Sequence, residues 1–185
     1  MRMSLAVGSL VSLVLLAGCS KPAAVTATNA IDKATVDSLV AIIAAFDHDW
    51  EPQRAAEGIS DAAALERTLA PFARDSDFAM VIDAAYYPSF QAWAEHEAIS
   101  LPQARREERE GHHENLALRA VRLGMDGAAV TQIYRYTFVE ASGRRGMQVS
   151  AATFVFRRGA GRWEIVQYHG SHGKPAFSDK TDGAK

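Results

Sequence analysis

Apolar positions in the first part of the chain fall three and four residues apart. Val36, Leu39, Val40, Ile43, Phe46 or Asp47, and Trp50 share one side of a helix at that spacing, which predicts a helix over 35–50 limited by Pro52. Asp61 is placed to cap a short second helix with Leu65, Leu69 and Phe72 on one face and Pro71 at its exit. Phe-Ala-Met-Val-Ile-Asp at 78–83 is an apolar run of strand length. Ser89, after Pro88, is placed to cap a third helix carrying Phe90, Trp93, Ala94 and Glu97 on successive turns.

From Glu114 onward the period becomes two, and turn signals arrive at Asp126-Gly127, Ser142-Gly143 and Gly159-Ala160-Gly161. They predict four strands over about 114–125, 129–140, 146–157 and 162–170. Each turn joins neighbours, so the sheet is expected to be antiparallel, with the earlier helices covering one face. This is an α+β fold in one domain over 31–172, followed by a polar tail at 173–185 that need not be ordered. The run Arg105-Arg106-Glu107-Glu108-Arg109-Glu110 reads as a solvated surface, and His112-His113 beside Glu114 as a polar loop after it.

The N-terminus has a different pattern. One positive charge at Arg2 precedes an apolar stretch from Leu5 to Leu16 and then small residues, the layout of an export signal. The stretch is shorter than the ~20 apolar residues a spanning helix needs. Its end, Leu16-Ala17-Gly18-Cys19, resembles the bacterial lipobox. That resemblance implies a signal peptide over 1–18, cleavage before Cys19, a lipid on the Cys19 sulfur and attachment to a membrane. Ser20, where similar inner-membrane lipoproteins often carry Asp, implies the periplasmic face of the outer membrane. The small, polar, Pro-containing segment at 19–30 reads as a lipidated N-terminus and flexible tether.

Composition narrows the partners. The 185 residues are 48% hydrophobic and 23% charged, with a formal charge of −2; loss of Arg2 would leave 19 basic residues against 22 acidic ones. That balance offers no broad basic surface for phosphates, which argues against nucleic acid as a partner. With Cys19 the only cysteine, an internal disulfide framework and a Cys-rich zinc site are excluded.

The order of a long helix, a short helix, a strand, a third helix and four long strands resembles the NTF2-like superfamily. Gly161-Arg162-Trp163-Glu164-Ile165-Val166-Gln167-Tyr168-His169-Gly170-Ser171 is similar to the Gly-x-Trp-x-(Ile/Val)-x-x-x-His-x-Ser ending of its SnoaL-like branch and of kinase association domains. The resemblance implies a cone: N-terminal helices packed on a curved antiparallel sheet, with an interior pocket and frequent dimerisation through the sheet's outer face. A homodimer is therefore expected, supported by apolar groups on both faces of the late strands.

Strict alternation along the last strand puts Trp163, Ile165, Gln167, His169 and Ser171 on one face. Trp50, Tyr87, Trp93, Tyr134 and Tyr136, with His169 as the titratable member, are the candidates for a mostly apolar ligand pocket; taken singly, each aromatic reads first as ordinary core. If strand parity is reversed, Tyr168 takes the place of His169. Enzymes of the superfamily, such as ketosteroid isomerases and polyketide cyclases, rely on an Asp facing the pocket. Asp83, Asp47 and Asp49 are available, but none forms a convincing acid–base pair, and no residue is assigned a catalytic role. His169 and His172 lack further ligands at metal spacing, so neither metal nor cofactor is expected. A non-catalytic domain that binds a small apolar molecule, or serves as an interaction module, is the leading expectation. An isomerase, cyclase or dehydratase with His169 as proton-transfer group, and a structural subunit of an envelope complex, are the alternatives.

Overall fold

The computed structural model describes residues 31–52 and 57–178. The expected signal peptide, Cys19 and the tether lie outside them, as does the end of the tail. Helix α1 spans Lys33–Trp50, α2 Asp61–Leu69 and α3 Phe90–Glu107. The strands are β1 Ala79–Ile82, β2 Ala85–Tyr87, β3 Glu108–Arg122, β4 Gly127–Glu140, β5 Arg145–Gly159, β6 Arg162–Ser171 and β7 Ala176–Ser178.

Each helix starts where a short polar side chain satisfies a free backbone N–H. The Asp32 carboxylate accepts from Thr35 N at 2.8 Å, Ser60 Oγ from Ala63 N at 3.2 Å and Ser89 Oγ from Ala92 N at 3.2 Å. Leu39, Ile43 and Asp47 mark the buried stripe of α1. On α3 the buried positions are Trp93, Glu97, Leu101 and Arg105, four residues apart throughout.

The sheet runs in the order β2-β1-β6-β5-β4-β3. All pairings are antiparallel except that of β1 with β6. The three helices pack on one face of this curved, open sheet, giving the α+β cone expected from the sequence. Leu39 and Ile43 of α1, Trp93 of α3, Val130 of β4, Phe154 of β5 and Ile165 of β6 meet in the shared core, each at most 1% exposed. The opposite face leaves Ile133, Met147 and Val149 exposed.

Several local expectations change. The strand expected from residue 114 begins at Glu108, directly from the end of α3. The charged run is therefore shared between a helix end and a strand. Arg105 lies inside, its guanidinium donating to Asp61 Oδ1 at 2.8 Å and to Ile59 O at 3.1 Å. His112 and His113 sit on the strand rather than in a loop. Part of the expected tail is also structured: β7 pairs with Arg145–Met147 of β5, beside the stretch that β6 has left.

The last strand contains the largest departure. Val155 pairs with Gln167 but Phe156 pairs with Ile165, leaving Val166 as an extra residue on β6. A bulge of this kind breaks the two-residue alternation. Ile165 and Tyr168 consequently both point into the core, while Gln167 and His169 are exposed. The expectation that His169 faces the interior is corrected here: the parity is right before Val166 and reversed after it.

Candidate functional site

Between the helices and the sheet lies a cavity of about 420 Å³. Phe46 and Trp50 reach it from α1, Trp93, His96, Glu97 and Ser100 from α3, and Ile82 and Asp83 from the end of β1. The sheet contributes Glu108, His113, Tyr134, Tyr136, Gln148 and Tyr168, with His172 following β6. Of the residues expected to form a pocket, Trp50, Trp93, Tyr134 and Tyr136 come together here. Tyr87 stands aside against His96, ring centroids 4.9 Å apart, and His169 lies on the outer face.

Trp93 belongs to the core as much as to the cavity. It is 1% exposed, and its ring centroid is 4.3 Å from that of Phe72. Its indole N–H donates to Glu97 Oε1 at 3.2 Å, one helical turn on, while the Trp50 indole donates to Glu97 Oε2 at 3.1 Å. Burial pushes the Glu97 carboxyl above its ordinary range, against the lowering effect of those indoles.

Glu51, just beyond α1, is a buried anchor for the imidazoles around it. His48 Nδ1 lies 2.9 Å from Glu51 Oε2. The His113 backbone N–H donates to Oε1 at 3.2 Å, and His113 Nδ1 lies 3.6 Å from the same oxygen. That last separation is an ion-pair distance when the ring is protonated and too long for a hydrogen bond. Burial raises the Glu51 carboxyl, but the interactions with His113 and His48 outweigh it and hold the group at about 2. The His113 ring in turn lies 4.6 Å from Tyr136 and 5.3 Å from Tyr134, between centroids.

Tyr136 donates its hydroxyl proton to Glu108 Oε2 at 2.5 Å. Burial and then the Glu108 carboxylate push that phenol far above its ordinary value. Burial likewise raises Glu108, although the Tyr136 hydrogen bond acts in the other direction. Tyr134 is pushed up to about 12, mainly by burial. These phenols therefore remain neutral donors across the accessible pH range. Gly111 makes room for Tyr136: a Cβ there would overlap the Tyr136 hydroxyl and stand 2.8 Å from Pro52 Cδ.

At another part of the wall, Asp83 and His172 form a two-point clasp. His172 N donates to Asp83 Oδ1 at 2.8 Å, and His172 Nδ1 lies 2.7 Å from Asp83 Oδ2. Burial raises Asp83, but the backbone and ring of His172 more than offset it and leave the carboxyl below its ordinary range. Asp83 and Ala84 have φ of 47° and 69°, the left-handed pair that a tight two-residue hairpin between β1 and β2 demands. Asp83 accepts that conformation more readily than Ala84 does.

Sequence reasoning did not place Glu97, Glu108, His113 or His172 in the pocket, and held Tyr168 only as the reversed-parity alternative to His169. Glu97 had a legible signal, since it shares the Trp93 stripe of α3 at a four-residue step. His113 and Glu108 were hidden by placing the strand start at Glu114, and Tyr168 by the bulge. Asp83 was noticed, but its partner is 89 residues away and only the sheet pairing brings them together.

Helices laid on an open, curved sheet with a cavity between them define an NTF2-like domain. Within that superfamily the SnoaL-like domain matches residues 57–175, and the chain belongs to that family. No curated protein matches the chain. Among solved structures, a hexachlorocyclohexane dehydrochlorinase (LinA) Type2 aligns with a TM-score of 0.62 at 11% identity, covering 82% of this chain and 94% of its own. An NTF2-like protein of unknown function from Pseudomonas putida KT2440 aligns at 0.56 and 17%, covering 84% and 96%. An NTF2-like superfamily protein from Salmonella enterica serovar Typhimurium LT2 aligns at 0.58 and 13%, covering 83% and 100%. At such identities the likeness is one of fold.

Proposed function

We propose that this domain binds a small, largely apolar molecule in the cavity between its helices and its sheet. The observation that carries the reading is the cavity itself: about 420 Å³, walled by Phe46, Trp50, Ile82, Trp93 and three tyrosines, with acids, histidines, Ser100 and Gln148 set among them. Native mass spectrometry of the gently extracted protein tests this. A retained small molecule that is lost in Ser100→Phe, which puts a ring into the cavity, is the expected result. An empty wild-type protein that also takes up no apolar compound would refute it.

The carrier reading extends to address and assembly. In this proposal a lipid on Cys19 holds the protein at the periplasmic face of the outer membrane, and the exposed Ile133, Met147 and Val149 patch supports pairing of two copies through the outer sheet face. Cys19→Ala is expected to move the protein to the soluble envelope fraction; firm membrane association of that variant would contradict the anchor. An interaction module in an envelope complex would use the same outer face with the cavity vacant.

One observation favours an enzymatic second reading, proton transfer on a bound carbonyl compound. Asp83 fixes the His172 ring in the cavity wall, and a carboxylate on Nδ1 leaves Nε2 as the atom that accepts a proton. The tautomer is inferred from that hydrogen bond. His169 is excluded from this role by its position on the exposed face. Under this reading Asp83→Asn and His172→Gln abolish turnover of a carbonyl compound while His169→Ala does not.

A further inference from the structure

Three histidines stand in the cavity wall: His113 is matched by Glu51 and His172 by Asp83, while His96 lies against the Tyr87 ring and beside Glu97. That pairing leaves two more acids, Glu97 and Glu108. Their hydrogen bonds come from neutral donors: the two indoles on Glu97 and the Tyr136 phenol on Glu108. Among the described residues, no lysine or arginine lines the cavity.

We propose that the cavity selects a small organic ammonium ion, a protonated amine on an apolar skeleton, over neutral or anionic molecules of the same shape. The inference rests on the reading of the cavity as a ligand site and names its ligand class. The acids alone would not carry it. They stand in the wall of a formed cavity to which Phe46, Trp50, Trp93, Tyr134, Tyr136 and Tyr168 also contribute, and aromatic rings attract a cation while covering its hydrocarbon part. A carboxylate ligand would meet Glu97 and Glu108 with no lysine or arginine to receive it, an arrangement that disfavours an anion.

Burial makes a counter-charge at these two acids matter. Glu97 is 5% exposed, and both it and Glu108 are pushed toward the protonated form by desolvation. His96 beside Glu97 and His113 near Glu108 act in the opposite direction. An ammonium ion supplies a counter-charge that neither the indoles nor the phenol provides, so its arrival favours the ionised carboxyls.

Calorimetric titration of the full chain in detergent with hexylamine, phenethylamine and tryptamine, each beside the alcohol and the carboxylate of the same skeleton, tests the proposal. At least one amine is expected to bind about tenfold tighter than its alcohol, with no saturable binding of the carboxylate. In the double variant Glu97→Gln/Glu108→Gln, shown to be folded by its circular dichroism and thermal transition, that preference is expected to vanish. If the double variant does not hold its fold, the preference of the wild-type protein across the three skeletons decides alone. An alcohol or carboxylate that binds as tightly as its amine, or a preference that survives in a folded double variant, overturns the ammonium proposal and leaves the ligand site standing. Absence of binding by every compound overturns both.

Discussion

Glu51 holds one end of the cavity together through its charge. Its folded value of about 2 lies below an ordinary carboxyl value of 4.5. A depressed folded value means stability that is fully present above the unfolded value and is lost as pH falls through the interval between the two. The stability difference between the wild-type protein and Glu51→Gln is therefore expected to be largest above about pH 5 and to close toward about pH 2. Denaturant unfolding across that range measures it; a difference independent of pH would contradict the assignment. Glu97, Asp47 and Glu108 respond in the other direction, since burial raises them and acidification relieves the cost of their charge. Gly111 tests the geometry from the other side. Gly111→Ala must displace Tyr136 or Pro52, and overpacking of this kind costs about 1–3 kcal/mol, read as a lowered denaturation midpoint. An unchanged midpoint would mean that Tyr136 is not held against Gly111. Of these single-residue features, the aromatic candidates Trp50, Trp93, Tyr134 and Tyr136 were legible from type and spacing. Most of the carboxylate partners were not, because the Glu51–His113, Glu108–Tyr136 and Asp83–His172 contacts join residues far apart in the chain.

At the scale of elements, β6 is the informative case. Its identity, its turn and its neighbour followed from Gly159-Ala160-Gly161 and from alternation, as did the helices from their apolar stripes and α3 from its Ser89 cap; α2 is capped by Ser60 rather than by the expected Asp61. The single extra residue Val166 has no compositional mark, and it reverses every side chain that follows. The parity has a direct consequence for stability. Tyr168→Ala removes a buried ring packed 4.9 Å from Phe154, and large aromatic truncations cost roughly 3–5 kcal/mol. His169→Ala, on the exposed face, is expected to stay within about 0.5 kcal/mol of wild type. Thermal unfolding of the two variants would contradict the bulge if the order were reversed. The start of β3 was obscured for a different reason. Charge on every side from Arg105 to Glu110 reads as solvated, yet Arg105 is covered by its Asp61 partner and Glu108 by Tyr136. A charge run says nothing of partners supplied by distant elements.

For the whole molecule, the sequence order of helices followed by a strand meander was enough to anticipate the cone, because each turn joins neighbours and the helices have one face to cover. The parallel β1–β6 pairing was beyond that logic, since it joins elements distant in the chain, and it is this pairing that carries Asp83 to His172. The molecule sets a cavity with titratable walls behind a sheet whose outer side exposes Ile133, Met147 and Val149. Imidazole nitrogen NMR tests that division most directly, using the full chain with 15N-labelled histidine while a bound amine or apolar compound is titrated in. The account predicts that His113 and His172 shift together with saturation of the site while His169 stays unchanged. Movement of His169 with His113 and His172 still would place the ligand outside the cavity and contradict it.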